Sequence, residues 1–278
     1  MVDRAGRPRI MIRPGTGSLH YWKDLWRYRE LFFFLAWRDI LVRYKQTAIG
    51  IAWGVLRPLI TMVVFTIVFD RLAKLPSNGV PYPVMVFSAL LPWQFFASSF
   101  SEGSNSLIDN ASLLTKTYFP RMIIPASTMI VAMVDFLISL VILSCIMAWY
   151  RVIPTFHVLF LPLLILFAMA TSIATSLWLS ALNVRYRDFR HAVPFLSQVG
   201  LYVSPVGFSS TIVPEQWRLF YYLNPMAGVI DGFRWSILGQ AFPLYVPGIL
   251  LSIAITTLLI LGGVQNFRKM ERSFADVV

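Results

Sequence analysis

Two ionisable residues stand inside runs that otherwise hold no charge. Arg57 interrupts the run Gln46 to Phe69, and Asp135 interrupts Met122 to Tyr150. Carrying such a group into hydrocarbon costs about 2.5–3.5 kcal/mol on insertion scales, so each needs a partner, a polar path or an escape to the interface. Arg57 lies about ten residues in from the basic end of its run, or ~15 Å at the helical rise, and Asp135 lies at a similar depth. Equal depth allows an Arg57–Asp135 ion pair. The other readings are an Arg57 that faces an aqueous path and meets an anionic substrate, or one that snorkels.

A second set sits on the segment "FFASSFSEGSNS". Ser98, Glu102 and Asn105 are spaced i, i+4, i+7 and share one helix face. That face is costly against lipid and should turn inward. Trp93 lies about ten residues from Pro83, or ~15 Å deep, away from the interfacial belt where Trp usually sits. Aromatic rings stack on the apolar faces of sugars, so Trp93, Phe95 and Phe96 fit a glycan path. They fit plain helix–helix packing equally well.

Signatures of catalysis are missing. No G-x-x-x-x-G-K-[ST] phosphate loop occurs, and no glycine is followed by lysine. His20, His157 and His191 are scattered, so no metal site is expected. The single cysteine, Cys145, falls inside an apolar run and offers no disulfide framework. A process driven by ATP would need its hydrolysis on another chain.

The elements that must hold these residues are membrane spans. Of 278 residues, 57% are hydrophobic and 13% charged, against about 25% charged in soluble domains. The mean hydropathy is +0.67. A span needs about 20 apolar residues, which predicts six helices near 47–69, 83–106, 124–147, 158–181, 190–208 and 244–266. The chain is expected to be an all-α membrane protein, because lipid offers no partner to unpaired backbone groups. Eighteen of the 24 Lys and Arg residues fall on the side of the termini and five on the other, which places both termini in the cytoplasm. The net charge of +11 is therefore a topology signal and an attraction to anionic lipid. Basic residues at span ends argue against nucleic acid as a partner. The run Leu31–Trp37 is too short and too far in for a signal peptide.

Three units follow: 1–45, a cytoplasmic arm with an interfacial helix; 46–267, the six-span domain; and 268–278, a cytoplasmic tail. From Tyr21 to Trp37 the pattern is amphipathic, with Trp22, Leu25, Trp26, Phe32 and Phe33 on one side and charges including Arg29 on the other. A short helix is expected over Leu107 to Tyr118. The outer segment Ser209 to Gln240 is too polar to span and rich in aromatics, which suits two short re-entrant or interfacial helices broken at Asn224-Pro225.

The phrases "WRDILVRYKQTAIGIAWGVLRPL", "LLPWQFF", "LLTKTYFPRMIIP", "LNVRYRDF" and "YLNPMAGVIDGFRWSILG", in this order, resemble the permease subunit of ATP-binding-cassette exporters of lipid-linked polysaccharides, the O-antigen and teichoic-acid type. The resemblance covers Tyr21 to about Phe267. It implies a bacterial inner-membrane protein that exports an O-antigen, teichoic-acid or capsule-class glycan. It implies a homodimeric permease with two copies of a cytoplasmic ATPase, which would hold the ATP and magnesium; this chain would carry no cofactor. A substrate path would include Arg57, Trp93, Phe95, Phe96, Ser98, Glu102, Asn105 and Asp135. The ATPase-coupling surface would include Trp22, Trp26, Arg29, Leu113, Leu114, Lys116 and Tyr118. The outer gate would include Trp217, Tyr221, Tyr222, Asn224, Pro225, Asp231 and Arg234. The position of Arg57 is often uncharged in such sequences, so the resemblance assigns it no role. A drug or small-lipid exporter of the same fold, a membrane-embedded lipid enzyme, and an ion channel or secondary transporter are the rival readings.

Overall fold

The computed structural model describes residues 18–45, 50–186, 188–271 and 274. The expected cytoplasmic arm over residues 1–17 and most of the expected tail beyond 271 lie outside the described residues. Among the described residues every regular element is helical. Five helices are long and apolar enough to cross a membrane: Ala52–Leu72, Tyr82–Asp109, Ile123–Trp149, Phe156–Arg185 and Val246–Met270.

The interfacial segment forms two helices, α1 (Ser18–Arg27) and α2 (Arg29–Lys45), joined almost without a break at Tyr28, whose N–H donates to Asp24 O at 3.0 Å. It thus runs eight residues past the expected end at Trp37, and α2 lies along α6 (Ile123–Trp149). Phe33, Phe34, Trp37 and Leu41 stay exposed on its outer side, as suits a helix in the bilayer interface.

The first span is α3 (Gly50–Phe65), continued by a π-helical stretch, Thr66–Leu72. The second, α4 (Tyr82–Asp109), is the central post, packed against α3, α6, α7 (Leu161–Arg185), α8 (Phe189–Val203) and α10 (Pro225–Leu238). Its hydropathy of 1.3 is the lowest of the five, and 78% of its most apolar window is buried. These two facts have one cause. A helix enclosed by protein can carry serines and a glutamate on several sides, whereas the first span, only 11% buried, is apolar except along the line of Arg57 and Thr61.

The expected fifth span, 190–208, is shorter than anticipated. The 15-residue α8 reaches only Val203, roughly 22 Å against the ~30 Å of hydrocarbon. Ser204 precedes Pro205 and is extended, with φ −81° and ψ 154°, because a following proline disfavours helical geometry. The chain then turns through Pro205 to Phe208 and enters the outer segment.

Two short helices occupy that segment, α9 (Glu215–Tyr221) and α10, broken at Asn224-Pro225 as expected. The Asn224 side chain caps α10 by accepting from Met226 N at 3.1 Å, and Pro225 takes the first-turn position that needs no N–H. Nearly all of α10 is buried against α4, α7 and α11 (Val246–Met270). Gly228 permits the approach to α11: a Cβ there would stand 2.6 Å from Ser252 Cβ. Gly239, at φ +66°, ends the helix.

Candidate functional site

A cavity of about 370 Å³ opens between α3, α4 and α6. Trp53 and Arg57 line it from α3, one turn apart; Trp93, Phe95 and Ser98 from α4; Asp135, Phe136 and Ser139 from α6. Its wall therefore alternates aromatic faces with hydrogen-bonding groups, including Gln94. Phe95 meets Phe136 edge-on at 5.7 Å, and Phe136 meets Phe233 at 6.0 Å, so the rings are held by one another. Trp93 is held by α8, where the missing side chain of Gly200 leaves room: a Cβ there would lie 2.6 Å from Trp93 Cη2.

The anticipated Arg57–Asp135 pair is not formed. Arg43, near the end of α2, takes Asp135 instead, Nη2 to Oδ2 at 2.7 Å, and Glu102 of α4, Nη1 to Oε1 at 2.6 Å. The neighbouring Tyr44 hydroxyl donates to Asp135 Oδ1. Burial works against the charge on Arg43, but the two carboxylates outweigh it and raise its pKa. Burial and the bond to Asp135 both push the Tyr44 pKa upward. Arg57 makes no ion pair among the described residues and is exposed on the cavity wall. Depth along a helix was the wrong criterion, since α2 reaches the carboxylates from the side and Arg57 does not.

Arg43 also lines a second, more open cavity of about 530 Å³ with Arg38, Asp39, Glu102, Asp109 and Thr128. It thus stands between the two spaces. Arg38 pins α2 to the α4 terminus by donating to Asn110 Oδ1 at 2.9 Å. Neither Arg43 nor Tyr44 was singled out in sequence, although "RDILVRY" places Arg38 and Arg43 five residues apart in a charge-dense stretch.

The expected polar stripe on α4 divides into three separate roles. Ser98 lines the cavity, and Glu102 holds Arg43. Asn105 Oδ1 accepts from Asn183 Nδ2 of α7 at 2.9 Å, clamping α4 to α7 together with the Asn183 bond to Ser104 O. Phe96 is likewise a packing residue, stacked on Phe100 at 5.5 Å.

The outer set is a fastened network. Arg234, fully buried, donates to three carbonyls: Met85 at 3.3 Å, Val206 at 2.8 Å and Phe208 at 2.6 Å. It thereby ties the turn after α8 to the start of α4. The Tyr222 hydroxyl donates to Asp231 Oδ2 at 2.7 Å, Tyr221 to Val203 O at 2.8 Å, and Asn224 to Ser204 Oγ at 2.9 Å. Trp217 is exposed against Phe220.

At the C-terminal end of α4, the expected helix over Leu107 to Tyr118 is split: α4 runs to Asp109 and a short α5 (Ala111–Lys116) follows. Leu114 is 4% exposed and belongs to a core cluster with Leu35, Phe119 and Phe267. It faces the protein, so it cannot be a docking residue; Lys116 and Tyr118 are exposed. Glu271 accepts from Arg121 N at 2.8 Å and from the Tyr21 hydroxyl at 3.4 Å, joining the tail to this loop and to α1. Burial raises the Glu271 pKa against those bonds. Trp22 and Arg29 line an apolar groove beside α6, α7 and α11, and Trp26 is exposed.

The profile of the ABC-2 type transporter family matches residues 30–238. The chain is 29% identical to the O-antigen export system permease protein RfbA of Myxococcus xanthus, over 92% of this chain and 98% of the relative. Identity to a protein of the same name in Klebsiella pneumoniae is 27%, over 87% and 92%. It is 22% to the polysialic acid transport protein KpsM of Escherichia coli, over 85% and 92%.

Proposed function

Since the chain belongs to the ABC-2 type transporter family, we propose that it is the membrane-embedded permease subunit of a polysaccharide exporter in a bacterial inner membrane. Two copies would form the path, and two copies of a separate ATPase would supply the energy. The substrate would be a lipid-linked glycan, and both termini would face the cytoplasm.

The observation that carries this reading is the cavity between α3, α4 and α6. Trp53, exposed, offers a face on which a pyranose ring stacks, the buried Trp93 and Phe95 form an aromatic floor, Gln94 and Ser98 offer hydrogen bonds, and Arg57 offers a cation to an anionic group. Arginine's planar fork suits phosphate oxygens in pairs. The apolar, exposed face of α3, with Trp53, Leu56, Ile60, Val63 and Val64, supports contact with a second copy. Burying it in lipid is also cheap, so the face supports a dimer without requiring one.

Deleting the gene should leave lipid-linked glycan on the cytoplasmic leaflet, and the wild-type chain should restore its surface display. Arg57→Ala and Trp93→Ala should each reduce display while the chain still inserts and assembles with its ATPase. Undiminished glycan display in the deletion strain would overturn the reading in favour of a drug or small-lipid exporter.

A further inference from the structure

An apolar groove of about 290 Å³ separates the interfacial helices from the bundle. Leu25 and Phe32 form one wall; Ala126 of α6, Leu177 of α7 and Ile260 of α11 form the other. Arg29 is the one charged residue on the lining, and it is exposed, so it stands at the rim. Its guanidinium lies 5.8 Å from the centre of the Trp26 ring, and Arg268 lies 5.0 Å from that of Tyr21 nearby. Trp22 and Trp26 are 49% and 73% exposed beside it.

We propose that this groove is a binding site for one anionic phospholipid, whose acyl chain fills the space and whose phosphate meets Arg29. The position commits it to that occupant. Amphipathic helices carrying Trp and Arg settle at the level of the headgroups, with apolar side chains directed to the acyl boundary. A slot at that level, apolar inside and cationic at the rim, matches the two ends of a lipid. Three spans meet there, so the bound chain would act as mortar between α1–α2 and the bundle. Trp22 and Arg29 would then serve the lipid rather than an ATPase surface. The inference is independent of the glycan-export reading, because no residue of the α3–α4–α6 cavity contributes to it.

The test uses the full chain, alone and with its ATPase, in nanodiscs of equal parts phosphatidylglycerol and phosphatidylcholine, followed by release into mild detergent and native mass spectrometry. Wild type should retain one phospholipid per chain with about fivefold preference for phosphatidylglycerol, the factor that one arginine near an anionic surface provides. Arg29→Ala should keep the lipid and lose the preference, and Arg29→Lys should keep most of it. Ala126→Trp, or Ile260→Trp from another wall, should expel the lipid. An unchanged headgroup preference in Arg29→Ala would overturn the proposal whether or not the tryptophan variants fold. So would full retention in a folded tryptophan variant, or displacement of the lipid on adding the ATPase, which would make the groove a protein-docking site.

Discussion

Arg43 is the residue whose removal tests the internal electrostatics most directly. Its two carboxylate partners come from different spans, and the three side chains are 34%, 37% and 19% exposed. The site is therefore intermediate between a surface pair, worth about 0–1 kcal/mol, and a buried pair, whose breaking costs about 3–5 kcal/mol. About 1–2 kcal/mol per partner is a fair value, so Arg43→Met should cost roughly 2–4 kcal/mol, or roughly 5–15 °C in melting temperature for a chain of this size. Most of that cost is two stranded carboxylates, so it should be reversible. Adding Glu102→Gln and Asp135→Asn to Arg43→Met should recover most of the melting temperature, since no uncompensated charge remains. The assay is thermal unfolding of the purified chain in mild detergent, with surface glycan display measured in parallel. Display should stay low in the recovered triple variant, because the partition between the two cavities would be gone. A triple variant no more stable than Arg43→Met would refute the electrostatic account.

Three further outcomes follow from other parts of the fold. Arg234→Met should destabilise by about 2 kcal/mol or more, as the Val206 and Phe208 carbonyls it would orphan cost about 1–3 kcal/mol each, and Arg234→Lys should recover only part; thermal unfolding checks both. The raised pKa of Glu271 means that the folded chain holds this proton more tightly than the unfolded chain, so its contribution is fully present below the unfolded value and is lost as pH rises through the folded one. Glu271→Gln should therefore melt higher than wild type at pH 8, and the gap should close as the pH falls toward the ordinary glutamate range. Gly200→Val should push the Trp93 ring into the cavity, since even a Cβ would lie 2.6 Å from it, and block glycan display while the protein still reaches the membrane.

Five of the six spans, the amphipathic helix before them and the break at Asn224-Pro225 were legible in the sequence because each rests on a local signal: a run of apolar residues, a period of 3.6, a capping asparagine before proline. The ion pair was not legible for a specific reason. Depth along two helices is a single coordinate, and pairing also needs both side chains to point at each other. Arg57 and Asp135 share depth and even share a cavity, yet the rotation of α3 leaves Arg57 on the wall while α2 reaches across to Asp135. Arg43 precedes the apolar run that begins at Gln46, so it carries no signal of a charge inside a span. The fifth helix ends at Ser204-Pro205 while the uncharged residues continue to Phe208, so its end is marked by the proline and not by hydropathy.

The centrality of α4 was written in the sequence in a form that hydropathy thresholds discard. In water, polarity along a helix marks the face turned to solvent. In a bilayer the outside is apolar, so polarity along a span marks the face turned to protein or to a wet path. Ser88, Ser98, Ser99, Glu102 and Asn105 share one broad flank of α4 and Ser104 stands on the opposite side, so both sides of that helix carry groups that do not suit lipid. That alone requires neighbours on both sides, and the structure supplies α3, α6, α7, α8 and α10. The same logic applied to α3 gives the opposite result: Arg57 and Thr61 are its strongly polar side chains between Gly54 and Phe65, one turn apart on a single face. A helix of that kind meets protein or water along one line and lipid or a like partner elsewhere. The one cationic face of the least buried span and the serine-rich flank of the most buried one therefore have to meet, and the aromatic cavity lies at their junction.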